Sequence, residues 1–260
     1  TRWKSLDTQR RRFYWLGCSH TTGMELTNPQ EDRYSALTSN MFNAEEYNYS
    51  HRGDCNFQIL QRCLDKIQEP VDLVLIQWSF FSRNITFTEQ ENSKLTYNDK
   101  FYNARNVRDY NLNNTLVRLP GANLDDESFM RVWRSINSYP RNILEWLNYY
   151  YAVVLHFAKL NTPCIQWFGC DVKGGLLNEE WKLDYCYDNG SSPIEGYTLN
   201  VANHPGYKHF KNNENFLNKH SNWTWEGMKR NWDIAEGGHY LEDAQVYWAN
   251  YLKPHIERNM

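Results

Sequence analysis

The sequence predicts an α/β fold: a three-layer α/β/α sandwich around a central, mostly parallel sheet, interrupted by two long insertions. Two observations predict it. Short apolar runs of strand length alternate along the chain with stretches of helical periodicity, the pattern of a parallel sheet covered by helices. The most apolar of these runs, Val71 to Trp78 (VDLVLIQW), lacks the in-out alternation of a half-buried strand and reads as one buried on both faces.

Taken in order, Arg12 to Gly17 (RFYWLG) is an apolar run closed by glycine, the first strand. Pro29 to Phe42 has helical character, and Glu45 to Tyr49 is a second, weaker strand. Cys55 to Ile67 places Phe57, Ile59, Leu60, Cys63, Leu64 and Ile67 at helical spacing. After the third strand, 71–78, a polar stretch of about 80–140 has little periodicity. A helix follows over about Arg141 to Leu160, with Ile143, Trp146, Leu147, Tyr150, Val154 and Phe157 on one face. Pro163 to Gly169 (PCIQWFG) is the fourth strand, and about 170–230 is a second polar insertion. Ala244 to Ile256 is an amphipathic helix whose last turn Pro254 should end or bend. We read residues 1–260 as a single domain, with the insertions walling a site at the carboxyl ends of the strands.

Composition narrows the function. The chain of 260 residues is 41% hydrophobic and 23% charged, as a globular protein should be. A net charge of −3 with scattered Lys and Arg gives no footprint for nucleic acid. No apolar stretch is long enough to span a membrane and no signal peptide is evident, so a soluble, cytoplasmic or virion-associated protein is expected. The six cysteines include no CxxC pair, and reduced thiols and no metal site are expected. Aromatic residues reach 16%, with 11 Trp and 18 Tyr. Such rings fill cores or stack on sugars; Trp223, Trp225 and Trp232 are the candidates for a sugar platform.

Two short motifs carry chemistry. Gly17-Cys18-Ser19-His20 follows the first strand directly. A serine on a tight turn there can aim Oγ into the cleft and its own N–H at a developing oxyanion. Ser is also common in turns, and His20 fits either a cleft wall or a turn cap. Near the other end stands Glu236-Gly237-Gly238-His239. Histidine is the natural base for a serine hydroxyl, and a carboxylate three residues earlier can hold its tautomer. Asp233, six residues before His239, is a rival for that role, and Cys18 a minor rival for the nucleophile. Arg83 suits an acidic substrate or a local carboxylate.

Gly17-Cys18-Ser19 resembles the first block of the SGNH (GDSL-like) hydrolases, usually Gly-Asp-Ser, and Glu236-x-x-His239 resembles their last, usually Asp-x-x-His. The loop from Asn48 to Asn56 resembles the second block, whose glycine supplies an oxyanion N–H and maps to Gly53. The combination with a strand ending Gln77-Trp78-Ser79 is similar to SGNH-like proteins of bacteriophage genomes. The third block of the family, Gly-x-Asn-Asp, has no counterpart after strand three, so its side-chain donor must be replaced, by Gln77 or by Asn56.

The resemblance implies a flavodoxin-like SGNH fold and a serine ester hydrolase, expected to be an O-acyl (acetyl) esterase on carbohydrate. Ser19 would be the nucleophile, His239 the base and Glu236 the orienting acid. Oxyanion and substrate contacts would come from Gly53, Asn56, Gln77 and His20. No metal or organic cofactor is implied. The expected partner is an ester-bearing small molecule or glycan, with no nucleic acid and no membrane, and oligomerisation is open. The alternative is an inactive binding or structural module of the same fold, such as a phage virion or tail component.

Overall fold

The computed structural model describes residues 10–79, 139–169, 179–182, 198–217, 232–235 and 239–260. Most of both insertions lies outside them, and with it Arg83, Trp223 and Trp225.

Four strands, β1 (Arg11–Leu16), β2 (Ala44–Asn48), β3 (Leu73–Trp78) and β4 (Cys164–Phe168), form one sheet in the order β2-β1-β3-β4, with every neighbouring pair parallel. Around them run α1 (Ser19–Thr22), α2 (Pro29–Asp32), α3 (Tyr34–Met41), α4 (Asn56–Lys66), α5 (Tyr139–Lys159), α6 (Pro205–Asn212) and α7 (Glu242–Glu257). Within the second insertion, β5 (Glu180–Lys182) pairs antiparallel with β6 (Thr198–Asn200).

Successive residues of β1 point to opposite faces of the sheet, and each face has its own core. Tyr14 and Leu16 join Val74, Ile76 and Trp78 beneath α4, α5 and α6. Phe13 and Trp15 join Leu73, Leu75, Ile165 and Trp167 against Tyr34 of α3 and Trp248, Leu252 and Ile256 of α7. This is the expected three-layer α/β/α arrangement. It explains the unbroken apolar run of β3, whose six residues are all buried.

Much of the aromatic content goes into these two cores. Trp15, Trp78, Trp146, Trp167 and Trp248 are all fully buried. Trp146 sits edge-on to Trp78, Phe210 and Phe216, while Trp15, Trp167 and Tyr34 pack with centroids 5.7–6.5 Å apart. Trp232, the one described member of the proposed sugar platform, packs at 5.3 Å on Tyr247.

The outer edge of β4 is covered. Gln166 N–H donates to the Asn215 carbonyl and Leu217 N–H to the Gln166 carbonyl, so residues 215–217 run alongside as a rudimentary parallel strand. That removes an open edge. Among the described residues, Cys18, Cys55, Cys63 and Cys164 are free thiols. Burial pushes the thiols of Cys63 and Cys164 up, so they pack as small neutral hydrophobes. No described helix is long and apolar enough to cross a membrane.

Two helical expectations are corrected. Pro29 to Phe42 is two helices rather than one, broken at Arg33, which is extended (φ −66°, ψ 144°). The break sends the Arg33 guanidinium to both carboxylate oxygens of Glu46 on β2, at 2.8 and 3.0 Å. It also lets the Tyr34 N–H donate to Gln245 Oε1 at 3.0 Å. Tertiary partners outweigh local helix propensity here. The second concerns Pro254, which lies in the last turn of α7 as expected but does not stop the helix there, since α7 continues to Glu257. Leu252 and Ile256, both fully buried, hold the helix against the sheet on either side of the proline.

Candidate active site

With the order β2-β1-β3-β4, the chain leaves β1 in one direction and returns through β3 on its other side. The crevice outside the carboxyl ends of these two strands is where such sheets place their sites. Gly17 to Ser19 and Gln77 to Ser79 both emerge there.

Ser19 is the first residue of α1, with Cys18 as its N-cap. It is 4% exposed, and its Oγ makes no hydrogen bond among the described residues. Its position is set from below. The Tyr34 hydroxyl lies 2.7 Å from Thr21 Oγ1, which donates to Gln77 Oε1 at 2.6 Å. The same Gln77 oxygen receives the Tyr34 hydroxyl at 3.3 Å and the Cys18 thiol at 3.9 Å. Burial raises the Tyr34 phenol well above its ordinary value, so it stays a neutral donor. From the side, Asn48 Nδ2 donates to the Thr21 carbonyl at 2.9 Å and to Ser35 Oγ at 3.0 Å. The Ser19 turn therefore rests on a buried polar floor, and Cys18 is part of that floor.

Gln77 is wholly buried at the end of β3, flanked by the glycines that close β1 and β4. A Cβ on Gly169 would stand 2.6 Å from Gln77 Nε2, and one on Gly17 would stand 3.1 Å from Gln77 Cβ. Those two strand-end glycines make room for the glutamine. Its oxygen is fully used by the floor, and its Nε2, buried without a hydrogen-bond partner, lies against Gly169.

Asn56, the other substitute for the missing donor, stands differently. As the first residue of α4, 5% exposed, it accepts the Ser79 N–H on Oδ1 at 2.7 Å. That bond fixes the amide and leaves Nδ2 without an acceptor among the described residues. Asn56 thus joins the loop after β2 to the end of β3.

The loop itself is tied to the nucleophile strand. Tyr49 N–H donates to the Trp15 carbonyl at 2.8 Å and His51 N–H to the Gly17 carbonyl at 3.3 Å. Gly53 follows in the left-handed region (φ 77°), which only glycine adopts without strain. Asp54, 2% exposed, pairs with Arg62 in the second turn of α4. Removing one member of so buried a pair is costly. Asp54→Ala is therefore expected to lower stability by about 3–5 kcal/mol, read as a fall in the urea midpoint at unchanged slope.

His239 reaches the site on the return arm of a short antiparallel turn. Ile234 bridges Tyr240, Ala235 N–H donates to the His239 carbonyl at 2.8 Å, and Leu241 N–H to the Asp233 carbonyl at 3.3 Å. Gln245 anchors this arm by donating to the Tyr240 carbonyl at 3.1 Å while it accepts from Tyr34. The imidazole packs against His20, the residue after Ser19, with centroids 5.1 Å apart. His20 is 5% exposed and also lies 6.1 Å from the Tyr240 ring, so it forms the wall between the nucleophile turn and the histidine arm.

The structure thus brings Ser19, His20, His239, Gly53 and Asn56 to one end of the sheet, with Gln77 beneath them. Ser19 and His239 are not hydrogen-bonded to each other. Glu236 lies outside the described residues. Asp233 is exposed, with its carbonyl engaged in the turn. The carboxylate found on His239 is one that sequence reasoning missed. Glu25 Oε2 stands 2.5 Å from His239 Nδ1 and also accepts the His239 N–H at 3.3 Å. No spacing rule links residues 25 and 239. The available signal was a carboxylate just after the nucleophile helix, in a turn opened by Gly23.

Among the described residues, no group of three or more His, Cys, Asp or Glu could hold a metal ion. No family model matches the chain, and no curated protein matches its sequence. Solved structures do resemble it. A protein of Desulfitobacterium hafniense DCB-2 assigned to the lipolytic G-D-S-L family matches at 11% identity and a TM-score of 0.35, over 64% of this chain and 63% of its own. A variant of the esterase AlinE4 matches at 14% identity and a TM-score of 0.33, over 64% and 62%. A protein of Slackia heliotrinireducens assigned to the SGNH hydrolases matches at 12% identity and a TM-score of 0.24, over 64% and 60%. The chain spans less than two thirds of the length of each.

Proposed function

We propose that this protein is a serine ester hydrolase that removes O-acyl groups, acetyl above all, from carbohydrate. The observation that carries the reading is the state of His239. Its Nδ1 is held by a carboxylate at 2.5 Å, while Nε2 has no partner among the described residues and the ring lies against the Ser19-His20 turn. A carboxylate on Nδ1 favours the tautomer that leaves Nε2 able to take a serine proton.

In the proposed reaction Ser19 Oγ attacks the ester carbonyl and its proton passes to His239 Nε2. Negative charge develops on the carbonyl oxygen, toward the Ser19 and Gly53 N–H groups and Asn56 Nδ2. His239 then protonates the departing alcohol, and water, activated by the same imidazole, releases the acid from Ser19. The Ser19 Oγ–acyl bond made in the first step is broken in the second, the oxygen of water replaces that of the alcohol on the acyl carbon, and the enzyme ends as it began.

Carbohydrate as the acyl carrier is suggested by Trp223 and Trp225 in the sequence of the second insertion, outside the described residues. The substrate would be a small ester or a glycan. The test is hydrolysis of p-nitrophenyl acetate, followed by acetate release from acetylated oligosaccharides, together with fluorophosphonate labelling located by mass spectrometry. Turnover with label on Ser19 is expected. A protein that neither turns over the activated ester nor takes the label is not a serine hydrolase.

The second reading, a binding or structural module such as a virion or tail component, is favoured by the missing third-block asparagine and the unformed Ser19–His239 hydrogen bond. It requires glycan or protein binding with no turnover in the same assays.

A further inference from the structure

We infer that Glu25, and not Glu236, is the carboxylate that positions His239, so that nucleophile and orienting acid ride on one seven-residue segment. This rests on the hydrolase reading above. Three features of the structure carry it.

The first is contact. Glu25 Oε2 accepts both the Nδ1–H and the backbone N–H of His239, at 2.5 and 3.3 Å. One carboxylate oxygen therefore fixes the ring and the main chain that bears it. Charge-assisted hydrogen bonds of this length are the strong ones.

The second is delivery. The Met24 N–H returns to the Ser19 carbonyl at 3.1 Å and the Leu26 N–H to the Gly23 carbonyl at 3.2 Å. Gly23 closes α1 in the left-handed region (φ 70°), and a Cβ there would press on Arg33 at 2.8 Å. Glu25 is itself left-handed (φ 71°), a conformation that costs a non-glycine residue and persists where the surroundings impose it. Leu26, buried behind it, pins the turn to the core. The carboxylate is thus delivered by a rigid turn.

The third is partial shielding. The Glu25 and His239 side chains are 25% and 14% exposed, and His20 covers the imidazole from one side. As Ser19 Oγ bonds to the acyl carbon and its proton moves to Nε2, the Nδ1 proton stays on the ring. The Glu25 carboxylate then faces the imidazolium so formed and stabilises it.

The test compares Glu25→Gln, Glu25→Asp and Glu236→Gln with wild type, after matched thermal melts establish that each variant folds. Glu25→Gln is expected to lower kcat by about 10²–10⁴-fold with KM nearly unchanged. Glu25→Asp should restore part of the rate, and Glu236→Gln should stay within a few-fold of wild type. A second readout needs no turnover: the low-field proton resonance of a carboxylate-bonded His239 Nδ1–H should vanish in Glu25→Gln and persist in Glu236→Gln. The reverse pattern, with rate and resonance lost in Glu236→Gln and kept in Glu25→Gln, overturns the assignment while leaving the hydrolase reading intact. A wild type with no turnover whose resonance still follows Glu25 sinks the hydrolase reading and upholds the pair.

Discussion

Ser19→Ala and His239→Ala are each expected to reduce kcat for an activated ester by about 10⁶-fold, and the double variant to be no slower than either single one. The two groups act on one proton, so removing either stops the transfer, and removing the second takes nothing more away. Independent contributions would multiply instead. The Ser19 Oγ makes no hydrogen bond among the described residues, so Ser19→Ala should leave stability within about 0.5 kcal/mol of wild type. His239→Ala breaks a pair whose carboxylate is 25% exposed, and water compensates much of that loss. Initial rates beside thermal melts separate the two effects. Multiplying losses, or a double variant far slower than both singles, would show that Ser19 and His239 do not work as a unit.

Asn56→Ala is the second large expectation: a fall in kcat of about 10²–10³-fold, the usual result of deleting one oxyanion donor. KM should change little, because the charge that Nδ2 meets develops only in the transition state. The same substitution removes the acceptor for the Ser79 N–H, at about 1 kcal/mol of stability. Gln77→Ala should behave oppositely. Its amide is buried, its oxygen accepts the Thr21 hydroxyl, and because Thr21 and Tyr34 can still bond each other, losing it strips the acceptor from one buried hydroxyl, at about 1–3 kcal/mol. A melt and a rate constant on both variants therefore distinguish a donor from a floor. If Asn56→Ala keeps full kcat and Gln77→Ala loses it at unchanged melting temperature, the two roles are exchanged.

What could be read in advance, and what could not, follows from the range of each interaction. Strands β1, β3 and β4 were legible because burial on both faces demands near-continuous apolar runs, and Leu73–Trp78 is the extreme case, whereas the edge strand β2 gave only a weak signal. That the segments bearing Ser19 and His239 come together at one end of the sheet was legible because each sits in a short motif at the end of a recognisable element. The break at Arg33 was hidden, since its causes, Glu46 and Gln245, lie 13 and 211 residues away. Glu25 was hidden for the same reason, and a nearer carboxylate at Glu236 offered the expected spacing instead. Gly17 and Gly169 read as simple strand stops. Their role in seating Gln77 appears only when β1, β3 and β4 lie side by side.

The bond between Glu25 and His239 closes a stretch of 214 residues. A ribosome adding about 5–20 residues per second makes the serine turn first, and the imidazole about 10–40 s later. Contacts so distant in sequence also form late when a chain folds, because the entropy of closing the loop must be met before the contact rewards it. For that interval the emerging polypeptide carries the Ser19 turn without the imidazole. In the proposed reaction hydrolytic power would be a completion signal, switched on when the arm bearing residue 239 docks on a scaffold built long before it.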